Sequence, residues 1–310
     1  MRELDLTTLR MFGAVCEHRS ISRAAEQASI VGSAISKRLA QLEDTVGTPL
    51  LVRRRRGVEP TPAGETLLEH ARAMLASAQG IERDMLAYGA GIRGQVRLLA
   101  TASVMAESLA DDVASFLKEP AHQAIQVDLE EHLSPEVLRR IRQGSASVGI
   151  CWDAADLGGM QVRPYRRDHL AIAVHPAHPL AGRTQLKFED TLAYDHVSLP
   201  LSSAVQQMLQ RAAAALGKTV AYRVIVSNFE AALRVVRANL AISVVPLEVA
   251  EGYAVAYGLR VIPLDEVWAQ RRFAIFFRSE QALTPAARLL IAHLERVGAV
   301  SAEAHASGPG

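Results

Sequence analysis

Cysteine is scarce in these 310 residues: Cys16 and Cys151 lie too far apart in sequence to suggest a disulfide framework or a zinc site with paired ligands, and a reducing cytoplasm is expected. No apolar run is long enough to span a bilayer. The opening MRELDLTTLR carries acids and no sustained apolar core, so neither a membrane partner nor a secretory signal is predicted. Net charge is lacking too. A formal +1 excludes a molecule coated in basic surface, so any nucleic-acid contact has to be a local patch. Catalytic signatures are missing as well. There is no GxSxG elbow, GxGxxG fingerprint or P-loop, and GSASVG near Gly144 has the wrong spacing for each. His175 and His178 bracket Pro-Ala in HPAHP with no second ligand group nearby, which favours a loop-shaping role over a metal site. No enzyme, cofactor or metal is therefore expected.

What is present is an ordinary core-forming composition, 49% hydrophobic and 22% charged, in a chain long enough for two domains. Up to about Tyr88, Ala, Leu and charges recur at helical spacing; after Gly94, short β-branched runs alternate with amphipathic helices. Gly89, Gly91 and Gly94 supply a hinge between them. Past it, QVRLLA reads as a strand, followed by a helix through Phe116, the strand IQVDLEE and the helix SPEVLRRIRQG closed at Gly144. VGICW, LAIAVHP, VSLP, VIVS and LAISVVP continue the alternation. Such order predicts an α/β domain with a mostly parallel sheet, helices on both faces, and a ligand at the carboxyl ends of strands. Residues 301–310 are small and polar, which predicts a disordered tail.

From Ser20 the chain reads SISRAAEQASIVGSAISKRLAQLEDTVG, a helix with Ala24, Ala25 and Ala28, a turn at Ile30 to Gly32, and a second helix. Ser33 is the expected N-cap of that helix, and Ile35, Leu39 and Leu42 give it one buried face. Its other face offers Ser33, Ser36, Lys37, Arg38 and Gln41, hydrogen-bonding residues suited to the major groove of double-stranded DNA. A solvated helix of a bundle is the competing reading. Leu50, Leu51 and Val52 then lead into Arg53, Arg54, Arg55 and Arg56 and Gly57, the pattern of a β-hairpin wing carrying guanidinium groups to phosphate. Thr61 with Pro62 opens a long helix toward Tyr88, on which Leu67, Ala71, Met74, Ala78, Ile81 and Met85 form a heptad seam. Packing against the chain's own first helix competes with dimerisation as the use of that stripe. A dimer would set two recognition helices on successive major grooves, so an imperfect inverted repeat is the expected operator.

The segments LRMFGAVCEHRSISRAAEQA, SAISKRLAQLEDTVGTPLLVR and PTPAGETLLEHA together resemble the N-terminal domain of LysR-type transcriptional regulators, and LAIAVHPAHPLAG and LRVVRANLAISVVP resemble that family's sensing domain. The resemblance implies an all-α winged helix-turn-helix over residues 1–61, a linker helix and hinge over 62–92, and a two-lobed α/β effector domain over 93–300, of the architecture of periplasmic binding proteins. Lobe I would cover about 93–162 and 264–300, lobe II about 163–263, with crossing strands near Val162 and Pro263. It further implies a dimer of dimers (a homotetramer), a small-molecule effector such as an organic acid, and RNA polymerase as a partner. Where the family commonly shows Ser-Gln-Pro entering the recognition helix, this chain has Val31, Gly32 and Ser33, and Lys37 stands where arginine is frequent.

By the strand-end rule the effector should meet Thr101, Ala102 and Ser103, then His132 and Ser134, then Leu199, Ser202 and Ser203, and finally Asn228 and Phe229. Plain helix capping is the competing role for the serines. Two rival functions remain at this level: an enzyme on the α/β half, and a solute-binding protein with an accessory DNA-binding domain.

Overall fold

The computed structural model describes residues 4–54, 57–89, 94–152 and 159–306, and the chain divides into two compact units, one made chiefly of the residues up to 90 and one of those beyond. Each is built around its own core.

In the first unit, α1 (Leu6–His18) opens under the Asp5 carboxylate, which accepts the N–H groups of Thr7 and Thr8, and α2 (Ile21–Gln27) opens under the Ser20 hydroxyl, which accepts from Arg23. α3 (Gly32–Val46) begins two residues earlier than Ser33 requires: the N-cap position is Val31, with no side-chain cap. Left-handed Ser29 and the Ile30 N–H on the Ala25 carbonyl complete the turn so early that the chain re-enters helix at Gly32, and Ser33 is not the cap. β1 (Leu51–Arg54) and β2 (Gly57–Pro60) pair antiparallel as the expected hairpin. α4 (Pro62–Gly89) follows, with the Gly64 N–H donating to Thr61 Oγ1 at 3.0 Å. Leu9, Phe12 and Val15 pack on Ala24 and Ala25, Ile35, Leu39 and Leu42, with Leu50, Val58 and Ala71 closing the cluster. The alanines allow the close helix crossing; each fully buried Leu, Ile or Phe contributes about 1.5–3 kcal/mol.

The second unit runs β3 (Gly94–Ala100), α5 (Ala102–Ala106), α6 (Leu109–Lys118), β4 (Ile125–Glu131), α7 (Ser134–Arg142), β5 (Val148–Trp152), β6 (Gln161–Val174), α8 (Phe188–Thr191), β7 (His196–Ser198), α9 (Ala204–Ala215), β8 (Tyr222–Ile225), α10 (Phe229–Arg237), β9 (Ser243–Pro246), α11 (Leu247–Tyr257), β10 (Arg260–Pro263), β11 (Gln270–Phe277) and α12 (Pro285–Ala306). The helix expected to reach Phe116 without interruption breaks at Glu107 and Ser108. The sheet is mixed rather than mostly parallel. β3 pairs parallel with β4 and β5, and β7 with β8, but β11 and β6 run antiparallel to one another, as do β9 and β10 to β6. The reason is the return of the chain: strands that cross between two lobes in opposite directions have to meet antiparallel.

β6 is the strand that joins the lobes. Its residues to His169 pair with β11, and Leu170 to Val174 pair with β9 and β10. The first crossing therefore lies at His169, beyond Val162, because β6 stays paired with β11 that far, through one shift of register between Arg272 and Ala274. The return falls just past Pro263, where Leu264 donates its N–H to the Leu170 carbonyl and His169 Nε2 lies 2.7 Å from the Leu264 carbonyl. The lobe I core gathers Leu98, Phe116, Ile150, Ile275 and Leu290, and a lobe II core gathers Leu170, Ile172, Phe188, Leu209 and Val244. Trp152 packs against both. Residues 301–306 continue α12, so the disordered tail expected from Ser301 is helical there; 307–310 lie outside the described residues.

Candidate nucleic-acid interface and ligand pocket

On α3 the apolar residues Ile35, Leu39 and Leu42 face the core, and Ser33, Lys37 and Gln41 are exposed with Ser36 half-buried beside them. Arg38 is engaged within the unit: its Nη1 lies 3.0 Å from Asp5 Oδ2 and 3.3 Å from Thr8 Oγ1. The Thr8 hydroxyl and the helix N–H groups hold the Asp5 carboxyl below the usual carboxylate range. Arg38 thus braces α3 against the start of α1. Val31, which stands in the segment entering the recognition helix, is 68% exposed at the head of α3.

The hairpin is fixed to this platform at two points. Glu43 Oε1, near the end of α3, accepts the N–H groups of Leu50 and Leu51 at 2.7 and 3.1 Å. The Val58 N–H donates to the Arg19 carbonyl at 3.0 Å, and a Cβ on Gly57, whose φ is +135°, would come within 2.2 Å of that carbonyl oxygen. Only glycine fits there. Arg53 is exposed, and Arg54 Nε pairs with Glu59 Oε2 at 3.2 Å. Arg55 and Arg56 lie outside the described residues.

The heptad seam of α4 divides. Ala71 is buried and Leu67 packs against the unit's own core, so the first half of the stripe serves that core. Met74, Ile81 and Met85 remain 41%, 64% and 58% exposed, with Ala78 half-buried.

In the second unit, a cavity of about 270 Å³ opens where strand ends of the two lobes meet. It is lined by Thr101, Ala102 and Ser103, His132 and Ser134, and Leu199 and Ser203, as the strand-end rule predicts. Ser202 is exposed beside it, and Asn228 and Phe229 are elsewhere: the Asn228 side chain caps α10 by accepting from Ala231, and Phe229 is buried in a core. Both are taken up by the start of α10. Ser203 combines both roles, capping α9 through Gln206 while lining the cavity.

Sequence reading missed Trp152, Phe273 and Arg271, which complete the walls. Arg271 is 3% exposed. It pairs with Asp168 directly across the β6–β11 ladder, lies 3.3 Å from Ser103 Oγ, and stacks its guanidinium 5.2 Å from the Phe273 ring centre. Burial pulls it down to about 10, leaving it charged at neutral pH. Its Nε has no partner. Arg271 stands between Gln270 and Arg272 in the sequence, so no local pattern marked it.

His175 and His178 each accept a nearby backbone N–H through Nδ1, shaping the loop after β6. Among the described residues there is no group of three or more His, Cys, Asp or Glu able to hold a metal, and no helix long and apolar enough to cross a membrane.

The chain was compared with known proteins. The model of the "Bacterial regulatory helix-turn-helix protein, lysR family" matches residues 6–65, and that of the "LysR substrate binding domain" matches 89–299. The chain is 25% identical over 296 residues to the HTH-type transcriptional regulator GbpR of Azospirillum brasilense, covering 94% of this chain and 86% of that one. It is 25% identical over 284 residues to the RuBisCO operon transcriptional regulator of Allochromatium vinosum, covering 92% and 93%. Its fold is similar to that of full-length CbnR complexed with its target DNA, with a TM-score of 0.64, 21% identity, and coverage of 94% of this chain and 99% of that one.

Proposed function

Because the chain belongs to the LysR family of DNA-binding transcriptional regulators with an effector-binding domain, we propose that α3 enters the major groove of an operator and the cavity between the lobes takes a small organic acid. The observation that carries the reading is the exposed polar face of α3, with Ser33, Lys37 and Gln41, held by Glu43 to a hairpin that presents Arg53. Ser36 flanks the bases, Arg38 positions the helix, and Arg53 to Arg56 contact phosphate. With lysine in place of arginine at position 37, that contact is a point charge rather than a planar fork, so base preference rests on Ser33 and Gln41. The exposed half of the seam, Met74, Ala78, Ile81 and Met85, joins two copies. The pair meets an imperfect inverted repeat, and two pairs form a tetramer. Effector capture turns subunits within that assembly and changes DNA bending and RNA polymerase recruitment, in the cytoplasm and without catalysis. The test is binding of purified protein to genomic fragments against random competitor at moderate ionic strength. Enrichment of a fragment carrying a two-fold repeat is expected; equal binding to all fragments, or a bend angle indifferent to every ligand, overturns it.

A further inference from the structure

α1 ends in a backbone conformation that its last residue resists. Arg19, the C-cap, has φ 49° and ψ 28°, in the left-handed region that glycine enters freely and an L side chain enters at a cost. α3 and α11 end in the same region on Gly47 and Gly258. Where only a cap is needed this chain uses glycine, and at residue 19 it keeps an arginine against its backbone preference.

The backbone at Arg19 is held from three directions. Its carbonyl accepts the Val58 N–H of β2 at 3.0 Å and leaves no room for a Cβ on Gly57. His18 Nε2, one residue before, lies 2.6 Å from Gln27 Oε1 of α2, and Ser20, one residue after, caps α2. None of these contacts uses the Arg19 side chain. It is exposed, with no ion-pair or hydrogen-bond partner among the described residues.

The Val58 bond sets Arg19 against the turn end of the hairpin, the end at which Arg53 and Arg54 lie. Glu59 offsets the charge of Arg54, whereas Arg53 is exposed and unpaired among the described residues. Two uncompensated guanidinium groups, from α1 and from β1, therefore adjoin one another at the edge of the DNA-reading unit. A cation also complements the dipole at a helix C-terminus, but any residue of the last turn supplies that without a left-handed backbone.

We infer that Arg19 contacts a DNA phosphate and forms, with Arg53, a cationic clamp that spans the end of α1 and the hairpin. This rests on the reading of α3 and the hairpin as the DNA-binding surface. The backbone at 19 is fixed before DNA arrives, so the guanidinium is presented with little backbone entropy left to lose. The contact is to the sugar-phosphate backbone and carries no base preference.

The experiment is fluorescence anisotropy of the full chain with a labelled random-sequence duplex and with the genomic fragment that the native chain enriches, between about 50 and 200 mM salt. Thermal melts are recorded beside it. Arg19→Gly and Arg19→Asn remove the charge with residues at ease in the left-handed region. Both are expected to lower the slope of log affinity against log salt by about 0.9 and to weaken binding about eightfold at about 0.1 M salt. Arg19→Gly should at the same time melt at or above the native temperature, a gain in fold with a loss of binding. Arg19→Lys should keep the native slope, and Arg19→Gly combined with Arg53→Ala should lower it by about 1.8. An unmoved slope in both neutral variants overturns the inference and leaves the reading of α3 standing. A lowered melting temperature in both makes Arg19 a structural cap and overturns it as well. A native chain that binds neither DNA removes the reading and the inference together.

Discussion

Replacing Glu107 by glutamine should change how the second unit's stability depends on pH, whatever ligand it binds. Burial raises this carboxyl from 4.5 to about 8, so the folded unit holds a proton that the unfolded chain releases. The folded state then binds more protons between those values, and stability falls as pH rises through the interval, by about 1.4 kcal/mol per pH unit. From pH 5.5 to 7.5 the native protein should lose about 3 kcal/mol that Glu107→Gln, neutral throughout, does not lose. His196 acts in the opposite sense over lower pH. Burial depresses it to about 4, so stability is lost as pH falls below its unfolded value near 6.5. The two effects offset in the native protein between about pH 4.5 and 6.5, but His196 is common to both proteins and cancels in their difference. Urea unfolding followed by tryptophan fluorescence is the assay, since the chain's two tryptophans, Trp152 and Trp268, both lie in the second unit. The difference in unfolding free energy should grow with pH in favour of the variant. Parallel curves for the two proteins would refute the assignment of a buried neutral Glu107.

Three further outcomes follow. Arg53→Ala should lower affinity for all DNA sequences alike and reduce the slope of log affinity against log salt by about 0.9, read by fluorescence anisotropy across a salt series; an unmoved slope removes Arg53 from the phosphate contacts. Leu39→Ala, in the packed face of α3, should cost about 2–5 kcal/mol of first-unit stability and abolish operator binding, while unfolding of the second unit, followed by tryptophan fluorescence, is unchanged. Ile81→Glu with Met85→Glu should dissociate the pair in sedimentation velocity and weaken binding to a two-fold site far more than to a half-site, whereas Leu67→Glu should instead lower the first unit's melting temperature.

The first unit was legible because its signals are local. Apolar spacing on α3, the Thr61-Pro62 start of α4 and the run from Leu50 through Gly57 each lie within a few residues of one another, and each sits where expected. The failures there are also local in origin. Ser33 has the right side chain for a cap, but a left-handed residue four positions earlier settles where the helix begins. The seam on α4 has one periodicity and two uses, since periodicity reports that a face is apolar and says nothing of what covers it. In the second unit the strands were visible, but their directions were not. β-α alternation implies parallel neighbours only while every strand keeps one direction, and β9, β10 and β11 all run against β6, the strand on which the chain makes its passage into the second lobe.

That same passage explains why the pocket was half legible. Residues at the carboxyl ends of β3, β4 and β7 follow a rule that needs only strand order, and Ser103, His132 and Leu199 reach the cavity accordingly. Arg271 comes from the second position of β11, at the strand's amino end, where a rule about carboxyl ends says nothing. It reaches the cavity because β11 begins beside β6 at the crossing between lobes, where a side chain faces the cleft rather than either core. Its partner Asp168 is the residue opposite it in that ladder, immediately before the chain passes to lobe II. A charged pair tolerated at this position is stabilised by register alone: shifting β6 by one residue would turn Asp168 away from Arg271 and leave two buried charges apart, at a cost of several kcal/mol each. The ion pair therefore fixes the crossing register and the place of Arg271 in the cavity wall together, which ties the geometry of the crossing to the shape of the pocket.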